Sequence, residues 1–161
     1  MSTEKQRKTI MLVLSTTRQS PVTVDEAIVT AKKDEAELVV LFVNDSKIPS
    51  MVFDRMADYD FIGDKPSEEL TTAIQREYCL RGNALLDEIE KKAKAEGVSC
   101  KTIIEGGEFV ETCLKMVERY RVDLVIMNRM KRSAISRFFL GSAVDKLTAN
   151  APCPVKVVEE A

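Results

Sequence analysis

Asp123–Val158, DLVIMNRMKRSAISRFFLGSAVDKLTANAPCPVKVV, carries the signals of a strand, a loop, a helix and a second strand in that order. Leu124 to Met127 is a short continuous apolar run, the pattern of a strand buried on both faces of a parallel sheet. At Asn128 the run gives way to a polar loop holding Arg129, Lys131, Arg132 and Arg137. Gly141-Ser142 follows, with Asp145 three residues after Ser142 and apolar Val144, Leu147 and Ala151 at helical spacing. That is a capping-box start to an amphipathic helix, with Ser142 as its N-cap. Pro152 and Pro154 stop the helix, and Val155, Val157 and Val158 around Lys156 predict a final strand.

Outward from this unit the chain repeats the same alternation. Thr9 to Leu14 (TIMLVL) is a first buried strand, and Ser20-Pro21 supplies an N-cap and an N1 proline for a helix carrying Val24, Ala27, Ile28 and Ala31. Glu37 to Val43 (ELVVLFV) is a second apolar run. Two such strands around one helix make a βαβ unit with parallel strands. Ser67 caps a longer helix bearing Leu70, Ile74, Tyr78, Leu85, Leu86, Ile89 and Ala93 and ending near Gly97. Val98 to Glu105 is a third strand, Gly106-Gly107 a turn, and Val110, Cys113, Leu114 and Val117 the core face of the next helix. The reading is therefore α/β: one doubly wound domain over residues 1–161, with five mainly parallel strands near 9–14, 37–43, 98–105, 123–128 and 154–159. Val13, Leu41, Val125 and Ile126 are predicted to be nearly solvent-free. Residues 45–66 have no clean period but hold Met51, Val52, Phe53, Met56, Tyr59, Phe61 and Ile62, and read as a long loop that is either a satellite cluster or short helix packed on the domain edge, or a lid or partner-binding surface leaving the carboxyl end of a strand.

Composition narrows the chemistry. The chain has 161 residues, the size of one domain. Its net charge is -2 with 31% charged residues of mixed sign, which gives no nucleic-acid footprint. The start, MSTEKQRKT, is neither a signal peptide nor a membrane span, so a cytoplasmic protein is expected. There is no histidine, which removes Ser-His-Asp and Cys-His catalysis because no imidazole can act as base. The four cysteines, Cys79, Cys100, Cys113 and Cys153, have no metal-site spacing and read as free thiols. No metal site and no catalytic residue is assigned, and an enzyme is the less favoured reading.

The opening stretch resembles the C-terminal half of the universal stress protein family. Nucleotide-binding members carry Gly-x2-Gly-x9-Gly-Ser/Thr after the fourth strand, then a helix and an Ala-Pro-Cys-Pro-Val turn, which here is Ala151-Pro152-Cys153-Pro154-Val155. Counting back from Gly141-Ser142, the two earlier glycine positions hold Lys131 and Asn128. The resemblance covers nearly the whole chain and implies an adenine nucleotide alpha hydrolase-like sheet of order 3-2-1-4-5. It also implies a crevice between the first and fourth strands, lined by Ser15, Thr16, Val43, Asn128, Arg129, Lys131, Arg132, Gly141 and Ser142. In the family's nucleotide binders an Asp ends the first strand, where this chain has Ser15.

These differences set the functional expectation. A non-glycine held at positive φ costs about 1–2 kcal/mol and loss of a hydrogen bond to a carboxylate about 1.5–3 kcal/mol. At ~1.4 kcal/mol per tenfold in affinity, ATP binding is expected to be weak or absent. Four loop cations and the amides before the Ser142 helix offer an anion a site of another kind. The plainer reading is that Gly141 relieves a turn, Ser142 caps its helix and the cations form a solvated rim. The leading functional reading is a dimeric stress-response or regulatory protein acting through protein contacts. Its alternatives are an ATP- or AMP-binding member with slow ATPase activity, and an anion-sensing or transporter-associated module. The resemblance implies a homodimer through the last strand, with Val155 and Val157 forming the row that faces the partner.

Overall fold

The computed structural model describes residues 7–16, 18–44, 68–129 and 143–159. Five strands, β1 (Thr9–Ser15), β2 (Glu37–Asn44), β3 (Cys100–Gly106), β4 (Leu124–Arg129) and β5 (Val155–Glu159), form one sheet in the order β3-β2-β1-β4-β5. Every neighbouring pair is parallel. The helices are α1 (Pro21–Lys33), α2 (Glu68–Ala95), α3 (Phe109–Arg119) and α4 (143–150). The doubly wound reading holds. β3 starts at Cys100 rather than at Val98, because the Val98 amide still donates to the Ala93 carbonyl at the end of α2. The 45–66 loop, the Ser67 cap, Lys131, Arg132, Gly141 and Ser142 lie outside the described residues.

Alternation along the strands builds two apolar layers. Ile10, Leu12 and Leu14 of β1, Leu38, Val40 and Phe42 of β2, and Ile126 of β4 face α1 and α2. Met11 and Val13, Val39, Leu41 and Val43, and Val125 and Met127 face α3 and α4. Both faces of the central strands are covered, which is why their sequences are runs rather than alternations. Val13, Leu41, Val125 and Ile126 are fully buried, as predicted. Each such side chain contributes about 1.5–3 kcal/mol through burial, so the central strands are the stable frame on which the loops are mounted.

The helix ends show what terminates each element. α2 closes at Gly97, which takes φ +74°, the left-handed conformation that glycine adopts without a Cβ penalty. α3 is capped by Glu108, whose carboxylate accepts from the Val110 and Glu111 amides at 3.2 and 2.8 Å. Gly107 just before it has φ +139°, and a Cβ there would lie 2.8 Å from Thr112 Oγ1, so the turn into α3 requires glycine. At the start of β4 the Thr9 amide donates to Asp123 Oδ2 and the Asp123 amide to the Thr9 carbonyl, both at 2.8 Å, which fixes the central pair in register.

Candidate functional site at the carboxyl edge of the sheet

Chain order runs outward in both directions from the β1–β4 pair, so strand order reverses between these two strands. Their carboxyl ends are where an open α/β sheet binds ligands. Five elements supply side chains here: the end of β1, the corner leading into α1, the end of β2, the end of β4, and the first turn of α3.

Ser15 and Val43 are register partners on β1 and β2, and both are buried. By alternation with Val13 and Leu41 they lie on the α3 face. Thr16, one residue on, has left β1 and stands in the turn that folds Arg18 back onto Ser15. Asn128 is completely buried, and its alternation with Leu124 and Ile126 places its side chain on the α1 face. The Asn128 amide is therefore turned beneath α1 rather than lining the α3 side with Ser15 and Val43. Arg129, next along β4, is exposed. The structure thus brings Ser15, Thr16, Val43, Asn128 and Arg129 to one end of the sheet but divides them between its two faces.

The residue that sequence reasoning missed is Arg18. Its backbone pairs reciprocally with Ser15, amide to carbonyl at 3.0 and 3.2 Å, folding the chain back over the end of β1. Its side chain is only 3% exposed. The guanidinium donates to the Asn128 carbonyl at 2.7 Å and lies 5.3 Å from the centroid of the Phe109 ring at the start of α3. One side chain thereby joins β1, β4 and α3 across the crevice. A hydrogen bond made by a charged donor is worth about 1.5–3 kcal/mol and a partly desolvated cation–π contact about 0.5–2 kcal/mol. No local pattern separates this arginine from the others in polar loops; only the partners brought by β4 and α3 do so.

Near the ends of β1 and β4 and the start of α1, several buried polar atoms are left without partners. Ser20 stands at the N-cap position of α1 with extended φ and ψ of -154° and 127°, as its sequence predicts, yet its hydroxyl makes no cap bond. Thr16 Oγ1, Ser20 Oγ, Thr23 Oγ1 and both side-chain atoms of Asn128 are buried, and among the described residues none has a hydrogen-bond partner. Each costs on the order of 1–3 kcal/mol in the folded state.

Among the described residues no group of three or more His, Cys, Asp or Glu is placed to hold a metal. No described helix is long and apolar enough to cross a membrane.

This arrangement defines a doubly wound α/β protein with a switch-point crevice between its first and fourth strands. The universal stress protein family model matches residues 6–159, and the chain belongs to that family. It is 28% identical over 127 residues, 77% of either chain, to a universal stress protein of Methanothermobacter thermautotrophicus. In fold it is similar to the universal stress protein UspA from Lactobacillus plantarum, with a TM-score of 0.71 and 18% identity over 94% of this chain and 98% of that one. It is also similar to an Arabidopsis thaliana family protein with AMP bound, with a TM-score of 0.56 and 16% identity over 96% and 92% of the two chains.

Proposed function

We propose that the protein is a single-domain, homodimeric regulatory member of the universal stress protein family that binds ATP weakly or not at all and works through protein contacts. The observation that carries this reading is Arg18, whose guanidinium holds the Asn128 carbonyl and covers the Phe109 ring where a nucleotide would enter. A nucleotide must either displace that side chain or accept a crevice narrowed by it. Giving up the hydrogen bond and the cation–π contact costs about 2–5 kcal/mol, or between one and four orders of magnitude in affinity. Ser15 and Lys131, standing where the family's binders have Asp and Gly, act in the same direction, whereas Asn128, in the third such position, continues β4 without the positive φ that the motif glycine was expected to supply. The reading assigns no catalytic residue.

AMP in the Arabidopsis thaliana relative favours a second reading, a nucleotide-binding member of the family with slow ATPase activity. Calorimetric titration with ATP separates the two. The wild type is expected to give a dissociation constant well above the micromolar range, and the triple variant Ser15→Asp, Asn128→Gly, Lys131→Gly a lower one even though a cation is removed. Micromolar binding by the wild type, or weaker binding by the triple variant, supports the second reading instead.

A further inference from the structure

β3 ends the sheet on the side away from β5. It is bonded to β2 along all seven of its residues, Cys100–Gly106, and to no other strand among the described residues. The Leu38 amide donates to the Ser99 carbonyl and the Gly107 amide to the Asn44 carbonyl, so Ser99, Lys101, Ile103, Glu105 and Gly107 turn their backbone groups toward β2. Cys100, Thr102, Ile104 and Gly106 therefore turn theirs outward, a row of donors and acceptors able to receive a further strand. The side chains alternate in step: Cys100 and Ile104 pack on the α2 side of the sheet and Ile103 on the α3 side. Lys101 and Glu105 share the α3 side, two residues before and two after Ile103. Lys101 Nζ lies 5.2 Å from the centroid of the Tyr120 ring at the end of α3, in keeping with that side.

We propose that the β3 edge is a contact surface for a second copy of this chain, pairing antiparallel about a two-fold axis that sets Ile103 against its own counterpart. Ile103 is the midpoint of the strand, so this register lets all seven residues face a partner: Cys100 opposite Gly106, Thr102 opposite Ile104 and Ile103 opposite itself. The outward backbone groups then fall opposite one another, as an antiparallel ladder requires. Lys101 of each copy falls opposite Glu105 of the other, in the non-hydrogen-bonded positions where side chains approach most closely. A lysine on an edge strand ordinarily repels a second strand. Here the axis that gives the most backbone pairing also gives each lysine a carboxylate. Moving the axis to Thr102 sets Lys101 against Ile103, and moving it to Ile104 sets Glu105 against Ile103, so either slip loses the charge match. This agreement of register and charge selects a second copy over an unrelated strand. The surface is one strand wide, and contacts so small are transient, so the join is weaker than a permanent dimer interface. It shares no residue with β5, and joins at both edges of one sheet extend a row of copies rather than closing a ring. The surface is therefore independent of the β5 pairing and of the nucleotide reading.

The test follows self-association of the full chain by sedimentation equilibrium, from micromolar to millimolar concentration at low ionic strength. It uses the Val157→Asp background, so that a join through β5 does not contribute. Mass is expected to rise from monomer toward dimer with concentration, and to rise less in high salt, which screens the Lys101–Glu105 attraction. Lys101→Glu or Glu105→Lys alone sets like charges opposite each other, and each is expected to weaken association about tenfold. Both side chains reach solvent, and circular dichroism checks that each variant keeps its fold. The axis predicts two rescues. The double variant Lys101→Glu, Glu105→Lys is expected to associate like its parent, and an equimolar mixture of the two single variants to form the mixed pair in preference to either alone. A role for Lys101 confined to the Tyr120 ring predicts neither rescue. Monomer mass at every concentration overturns the proposal. So does association that the single reversals leave unchanged, or that neither the double variant nor the mixture restores.

Discussion

The Cys113 thiol is buried in the layer between the sheet and α3, and that burial pushes its pKa up from 9.0 to about 12, with the Arg18 charge opposing the rise. Burial moves Cys100 up to about 11 in the same way. A thiol whose pKa is higher in the folded than in the unfolded chain stabilises the fold fully below the unfolded value of 9.0, and this contribution is lost as pH rises toward the folded value. Above about pH 9 stability is therefore expected to fall, at up to ~1.4 kcal/mol per pH unit for each such proton. Urea titrations at several pH values between about 8 and 11 check this, with Cys113→Ala expected to flatten the slope. An unchanged slope in that variant means that the thiol titrates alike in both states. Composition identified the four cysteines as free thiols, and they are so. Which of them is shielded from base depended on the strand and helix packed against each one.

α2 shows a constraint that lives on the element. It runs for 28 residues, and its approach to the sheet passes through Gly82. A Cβ at Gly82 would lie 2.9 Å from two atoms of the Phe42 ring and 3.2 Å from Ile104 Cδ1. Phe42 is fully buried and has nowhere to move. Gly82→Ala gains about 1 kcal/mol in helix propensity but costs about 1–3 kcal/mol in overpacking, so a net loss is expected. The melting temperature should fall by a few degrees, and shrinking the ring with Phe42→Leu alongside should recover part of that loss. A higher melting temperature for Gly82→Ala alone would show that α2 can lift away freely. The helical spacing of Leu85, Leu86 and Ile89 made α2 legible in the sequence. Its closest contact was not, because a glycine within a helical pattern looks the same whether it is tolerated or required.

For the molecule as a whole, β5 ends the sheet, bonded to β4 on one side and to no other strand among the described residues. Lys156 pairs with Glu26 of α1, while Val155 and Val157 are half-buried against the layer containing α4. A strand edge of this kind offers its free backbone groups to a second copy across a two-fold axis. In the proposed dimer Val157→Asp places a carboxylate at the join, and light scattering is expected to shift from dimer toward monomer mass while circular dichroism retains the fold. A monomer mass for wild type and variant alike refutes the dimer.

The order of elements, their types, and the residues of the central strands were set by local pattern, because continuous apolar runs and helical spacing depend only on neighbours in the chain. The resemblance carried by Gly141-Ser142 and the Ala-Pro-Cys-Pro-Val turn added the strand order, which the sheet follows. Three matters depended on tertiary structure. Alternation from a buried register sent the Asn128 side chain under α1 rather than into the crevice with Ser15. Packing left Ser20 and Thr23 without partners despite a good N-cap position. Arg18, an ordinary loop arginine by sequence, became the join between β1, β4 and α3 because a carbonyl from one distant element and an aromatic ring from another meet above it. Each is a contact across the fold, and no spacing within one segment encodes it.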